Sequence, residues 1–193
     1  MSCAIVVHGA KGSGKTSNCL SMAEAVRKEG IPSGGILSIR VYQEGRLIGY
    51  DGLELSSGEV FPLARLRDLA GDSDWFVFRN LRYSFSISGF KRANQILESS
   101  AEKLSQSSIV FVDEFGRLEK DKRGIYSGMV KVAEALRGGG ITVFTCRTEM
   151  VEILKKMVLD KAKNIIRLKP QARDKNLKLI LKLTRARAQL CAT

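Results

Sequence analysis

The sequence predicts an α/β fold in three layers, a mostly parallel sheet carrying an antiparallel insertion, and three observations lead to it. Apolar runs of strand length alternate with stretches at helical spacing along the chain, the order that produces a sheet covered by helices on both faces. The run Cys3-Ala4-Ile5-Val6-Val7 is continuously apolar and β-branched, as a central parallel strand buried on both sides must be. Two alternating segments, Ile36 to Val41 and Leu47 to Tyr50, flank Gln43-Glu44-Gly45-Arg46, which reads as a hairpin turn.

Taken in order, the first strand runs into Gly9-Ala10-Lys11-Gly12-Ser13-Gly14-Lys15-Thr16. Ser17 to Glu29 then reads as a helix, with Leu20, Met22, Ala23 and Val26 near helical spacing and Gly30 as its stop. The hairpin follows, and Val60 to Leu66 and Trp75 to Phe78 read as short strands that extend the insertion. A helix is expected over Phe90 to Ser105. Next comes the strand Ser108 to Glu114, apolar until its last two residues, Asp113 and Glu114. A helix ending at Gly138-Gly139-Gly140, a strand over Ile141 to Cys146, a helix over Glu149 to Leu159, a short strand over Asn164 to Leu168 and a last helix after Pro170 complete the pattern. No repeat, low-complexity tract or linker interrupts it.

At 193 residues the chain is long enough for one proper core and short for two, so one domain spanning 1–193 is expected. No apolar run reaches the ~20 residues that cross a bilayer. The opening Met1-Ser2-Cys3-Ala4 lacks the basic and apolar regions of a secretion signal. Cys3, Cys19, Cys146 and Cys191 are scattered and His8 is the one histidine, which argues against a disulfide framework or a zinc site and for a reducing cytoplasm. The formal charge is +12, and it is concentrated: residues 155–193 hold twelve Lys or Arg against Asp160 and Asp174. Lys178, Lys182, Arg185 and Gln189 share one side of the last helix, at about 171–190, while Leu177, Ile180, Leu181 and Thr184 line another. Such a face suits an anionic partner such as nucleic acid, or simply solvent.

The glycine loop carries the chemistry. The order strand, GxxxxGK[ST] loop, helix is that of a P-loop, in which Gly9, Gly12 and Gly14 let the backbone close on a phosphate and turn successive amides inward. The nucleotide-binding set is therefore Gly9, Ala10, Lys11, Gly12, Ser13, Gly14, Lys15, Thr16 and Ser17. Lys15 would reach the β and γ phosphates and Thr16 would coordinate Mg2+. Asp113, ending a buried strand, is the second Mg2+ ligand in the manner of a Walker B aspartate, and Glu114 is placed to orient and polarise a water for attack on the γ-phosphate. Arg147, Arg117 and Arg123 are candidates for the cation that steadies the transferring phosphoryl group, Arg147 first because it follows a strand at the sheet edge where such sites form. Thr145, at the same strand end, is a candidate γ-phosphate sensor or a structural threonine. Trp75, Phe76 and Phe78 read as packing, with base stacking as the alternative, and no NKxD element selects guanine.

These motifs resemble the THEP-type family of small nucleoside-triphosphatases, over roughly residues 3 to 174. Beyond the loop, the resemblance lies in Gly45-Arg46-Leu47-Ile48-Gly49-Tyr50-Asp51, like the family's hairpin, and in Val112-Asp113-Glu114-Phe115-Gly116-Arg117-Leu118-Glu119, close to its Ile-Asp-Glu-Ile-Gly-Lys-Met-Glu. It implies a RecA-like sheet with an added antiparallel hairpin and Mg2+-dependent hydrolysis of ATP, GTP and other triphosphates with little base preference. The chain departs from the family pattern at Arg40 and Tyr42, where an acid and an arginine lead into the hairpin, and at Ala172-Arg173-Asp174, in place of Asn-Arg-Asp. Both departures bear on how base and ribose are held.

Two other functions stay open at this point. A nucleoside or small-molecule kinase shares the phosphate loop but needs an acceptor pocket and several arginines, and the sequence shows no such cluster. A nucleotide-gated module gripping nucleic acid through the basic C-terminus is the other.

Overall fold

The computed structural model describes residues 2–71, 73–104 and 109–191, with side chains up to residue 187. Fifteen elements follow in order: β1 (Ser2–His8), α1 (Lys15–Lys28), β2 (Ser33–Gln43), β3 (Arg46–Glu54), β4 (Val60–Leu66), β5 (Trp75–Val77), β6 (Tyr83–Ser86), α2 (Ile87–Lys103), β7 (Ile109–Phe115), α3 (Arg117–Lys120), α4 (Tyr126–Ala135), β8 (Gly140–Cys146), α5 (Val151–Val158), β9 (Asn164–Leu168) and α6 (Arg173–Cys191). The nine strands form one sheet in the order β5-β6-β4-β3-β2-β7-β8-β1-β9. Neighbours from β2 to β9 run parallel, and those from β2 to β5 antiparallel.

Alternation along β1 explains the layers. Ala4 and Val6 join a core with Ala93 and Leu97 of α2, Met129 and Val132 of α4 and Leu154 of α5. Cys3, Ile5 and Val7 point into a second core with Cys19, Met22 and Val26 of α1 and Ile180 of α6. One strand feeding two cores has to be apolar throughout, which is why β1 and β7 lack polar alternation. Cys19 is a packed small hydrophobe on α1.

The three-layer α/β expectation holds, with a sheet that is mixed: its parallel half is joined by an antiparallel part larger than the expected hairpin. β3, β4, β6 and β5 carry the sheet four strands beyond β2. β6 is absent from the sequence reading because Tyr83-Ser84-Phe85-Ser86 offers only two apolar residues before a helix begins. That helix starts at Ile87, not Phe90: Ser86 caps it, its Oγ accepting the Gly89 amide at 2.9 Å. The expected helix end at Ser105 and strand start at Ser108 fall outside the described residues. The single helix expected before Gly138 is two, α3 and α4, parted where Lys122 and Gly124 take positive φ. The one expected over Glu149 to Leu159 begins as a 3₁₀ turn, Thr148–Met150, before α5. Among the described residues no helix is long and apolar enough to cross a membrane.

Candidate functional site

The phosphate loop bridges β1 and α1 at the C-terminal edge of the parallel strands. Gly12 and Gly14 sit at φ +82° and +89°, a conformation that side chains resist, so the loop needs glycine there to turn its amides inward. Gly9 ties the loop to β8, its amide donating to the Cys146 carbonyl at 3.3 Å. The Ser13 hydroxyl oxygen is buried and without a hydrogen-bond partner among the described residues. Lys15, 6% exposed, places its Nζ 3.3 Å from the Gly9 and Ala10 carbonyls and 3.3 Å from Glu114 Oε2.

β7 brings the acids to this loop. Thr16 Oγ1 donates to Asp113 Oδ2 at 2.7 Å, the Ser38 amide donates to the same oxygen at 3.0 Å, and Thr145 Oγ1 donates to Oδ1. Strand order makes this possible: β7 lies between β2, which brings Ser38, and β8, which brings Thr145. Burial, and next the charge of Glu114, push the Asp113 carboxyl up from 3.8 to about 6, against the three hydrogen bonds that favour its charged form. Thr16 and Asp113 thus present two hard oxygen donors side by side, and the described residues hold no cluster of three or more His, Cys, Asp or Glu that would hold a metal without help. Two protein oxygens completed by water and phosphate oxygens is the way Mg2+ is ordinarily held, so the residues fit that ion.

Glu119 is a residue the motif reading named without giving it a task. Its carboxylate accepts the Gly116 amide at 2.9 Å and the Ile125 amide at 3.1 Å, closing the turn that separates α3 from α4. Burial raises it from 4.5 to about 7, opposed by those amides. The folded state therefore holds a proton that the unfolded state has released between these values. The stability this group contributes is complete below about pH 4.5, falls as pH rises to about 7 and is constant above. Urea denaturation at pH 5, 6, 7 and 8 is expected to show the stability difference between the parent and Glu119→Gln shrinking up to pH 7 and then levelling. A difference that grows with pH would contradict the buried, protonated carboxyl.

A cavity of about 830 Å3 opens over the loop residues Lys11 to Ser17 and over Asp113 and Glu114. It extends along the sheet to Tyr50, Leu63, Tyr83, Phe85 and Phe90. Arg40, Arg82, Arg117 and Arg147 also line it, so the arginine cluster missing from the sequence reading is assembled by the fold. Of the expected site residues, Gly9 and Ala10 form the loop's closure without lining the cavity. Arg147 lines it with its nearest carboxylate, Glu149, at 3.9 Å. Arg123 instead stacks on Phe78, 5.6 Å from the ring centroid. Thr145 is fully buried on Asp113. The aromatic residues at the cavity are not Trp75, Phe76 or Phe78 but Tyr50, Tyr83, Phe85 and Phe90; Tyr50, in the Gly49-Tyr50 motif, carried the one available signal. His8, beside Lys169 Nζ at 3.4 Å, is held below its usual pKa by burial and by the charges of Lys169 and Arg167.

The basic C-terminal helix is partly consumed by the fold. Leu177, Ile180 and Leu181 enter the core beside α1, Arg185 makes two hydrogen bonds to Glu29 at 2.9 and 3.0 Å, and Arg173 bonds Ser21. Asn176 ties the helix start to α1 through Asn18 at 3.1 Å and to the Lys169 carbonyl at 2.8 Å. Lys178 and Lys182 remain exposed; the side chain of Gln189 lies outside the described residues.

Residues 4–181 match the profile of a family described as NTPase. Nucleoside-triphosphatase THEP1 of Methanopyrus kandleri is 28% identical over 131 residues, 68% of this chain and 67% of that protein. The protein of the same name from Archaeoglobus fulgidus is 28% identical over 141 residues, covering 73% and 74%. Among solved structures, THEP1 from Aquifex aeolicus superposes with a TM-score of 0.68 at 19% identity, covering 94% of this chain and 98% of that one. A human cancer-related nucleoside triphosphatase superposes at 0.66 and 19%, covering 96% and 97%. At that identity the structural likeness establishes the fold.

Proposed function

We propose, on the premise that the chain belongs to the NTPase family, that it acts as one domain hydrolysing nucleoside triphosphates to the diphosphate and phosphate. The reading rests on one observation: Lys15 and Thr16 of the loop meet Glu114 and Asp113 of β7 at 3.3 and 2.7 Å. Loop amides and the N-terminus of α1 hold the phosphates, and Lys15 exchanges its loop carbonyls for β and γ oxygens. Thr16 and Asp113 would hold Mg2+, which would supply charge that neutralises the phosphates. Glu114, adjacent to Lys15 and partly exposed, faces the terminal phosphoryl group and takes the proton of the attacking water. Arg147 is the arginine assigned to the developing charge.

Low base preference is part of the proposal, since the contacts assigned to the loop amides, Lys15 and Thr16 all fall on the phosphates and none on the base. A reducing compartment is too: Cys3, Cys19 and Cys146 are free and buried, and burial raises all three thiols.

The test measures free phosphate from ATP, GTP, CTP and UTP with Mg2+ and with EDTA. Release with all four, within about tenfold of one another, and none with EDTA is expected. Lys15→Ala should weaken MgATP binding about tenfold and lower turnover about 100-fold. Full binding by that variant would remove Lys15 from the phosphate site.

A further inference from the structure

The cavity does not end at the acid that activates the nucleophile; it continues beyond it. At about 830 Å3 it lies near the upper end of the ~300–1,000 Å3 usual for one small-molecule ligand. Its two ends differ in chemistry. One is amides, Lys15 and carboxylates; the other is walled by Tyr50 of β3, Leu63 of β4, Tyr83 and Phe85 of β6 and Phe90 of α2.

Direction decides what the second end faces. Loop amides cradle the α and β phosphates, whereas the lysine reaches β and γ. The terminal phosphoryl group therefore points at Glu114 on β7, and the nucleoside leaves on the loop side. In-line displacement brings the nucleophile from the face opposite the leaving oxygen. That face looks past β7 toward β2, β3, β4 and β6, the direction in which the cavity runs.

A site meant for water alone needs no such walls. Tyr50 and Tyr83 meet edge to face with centroids 5.4 Å apart, and Phe85 and Phe90 are tilted at 6.1 Å, surfaces on which a flat ring packs. The Tyr83 hydroxyl, buried beside Tyr50, makes no well-aligned hydrogen bond. Among the described residues Arg82 forms no ion pair with a carboxylate, and its guanidinium lies 5.0 Å from the Tyr83 centroid. A guanidinium at an aromatic wall suits an anionic substituent.

We propose that this compartment binds a second substrate, a hydroxyl compound bearing a flat aromatic ring and an anionic group, to which the chain transfers the terminal phosphoryl group. The inference rests on the triphosphate site proposed above. The acceptor oxygen forms a bond to the γ phosphorus as the bond from that phosphorus to the β-bridging oxygen breaks. The hydroxyl proton passes to Glu114 and then to solvent, and the nucleoside diphosphate leaves with the electron pair of the broken bond. Hydrolysis is then the same displacement with water in place of the acceptor.

The test incubates the full chain with Mg2+ and γ-labelled ATP, with each of the four nucleoside 3′-monophosphates and with 4-(hydroxymethyl)benzoate, compounds that combine ring, anion and free hydroxyl. Saturable transfer of label to at least one of them is expected. Arg82→Ala and Phe85→Leu should each lower the ratio of transferred to free label about tenfold. Label found only as free phosphate in every tube would overturn the second site and leave the triphosphatase reading standing. A tenfold rise in the KM for ATP in Phe85→Leu without any acceptor would put the triphosphate's own base in the compartment and equally overturn the proposal. No phosphate release in any tube would overturn both readings.

Discussion

Glu114→Gln is expected to lower kcat for ATP hydrolysis by about 10³, within the range a positioned general base supplies, while MgATP binds as well as before or more tightly. The change keeps the shape of the side chain and removes its capacity to take a proton. It also removes a negative charge that sits 3.3 Å from Lys15 and would face the γ-phosphate, so the lysine loses a competitor and the phosphate a repulsion. Phosphate release under saturating ATP and calorimetric titration with MgATP separate the two effects. A kcat within about threefold of the parent would mean that another group positions the water.

How much of this was legible in the sequence depends on how local each feature is. The loop and the acid strand were visible because each is a contiguous string: Gly9 to Thr16, and an apolar run ending at Asp113 and Glu114. That they meet followed from the chemistry such strings perform. The far wall of the cavity was not visible, because Tyr50, Leu63, Tyr83 and Phe90 come from four elements and share a surface only through the order β6-β4-β3-β2-β7. The same holds for Arg40, Arg82, Arg117 and Arg147, scattered over more than half of the chain. The break between α3 and α4 was hidden for a different reason. Only an end at Gly138 was marked, whereas Lys122 and Gly124 take φ of 57° and 64° between the two helices and the Glu119 carboxyl takes the Gly116 and Ile125 amides. Charge counting overstated the freedom of the C-terminus. Two of its arginines, Arg173 and Arg185, bond to α1 or the residue that ends it, so α6 acts in the fold as the cover of one sheet face.

Arg147→Ala is expected to lower kcat by about 10³, the low end of what an arginine on the transferring phosphoryl group contributes, with the KM for ATP changed little. Three observations favour it over the other arginines of the cavity. It directly follows β8, which lies between the loop strand β1 and the acid strand β7, so it is the cavity arginine nearest both in the sheet. It is 29% exposed, where Arg117 and Arg40 are open to solvent, and a cation removed from water acts more strongly on a developing charge. Its approach to Glu149, at 3.9 Å, is loose enough for the guanidinium to exchange that carboxylate for phosphate oxygens. An interaction made chiefly in the transition state lowers kcat and kcat/KM together, which distinguishes this role from ground-state binding. Arg147→Lys should recover only part of the rate, because a point charge on a flexible stem cannot reproduce two parallel hydrogen bonds. If Arg147→Ala keeps its kcat while Arg117→Ala loses it, the cation on the phosphoryl group comes from α3, and the loop that Glu119 fastens becomes part of the catalytic apparatus.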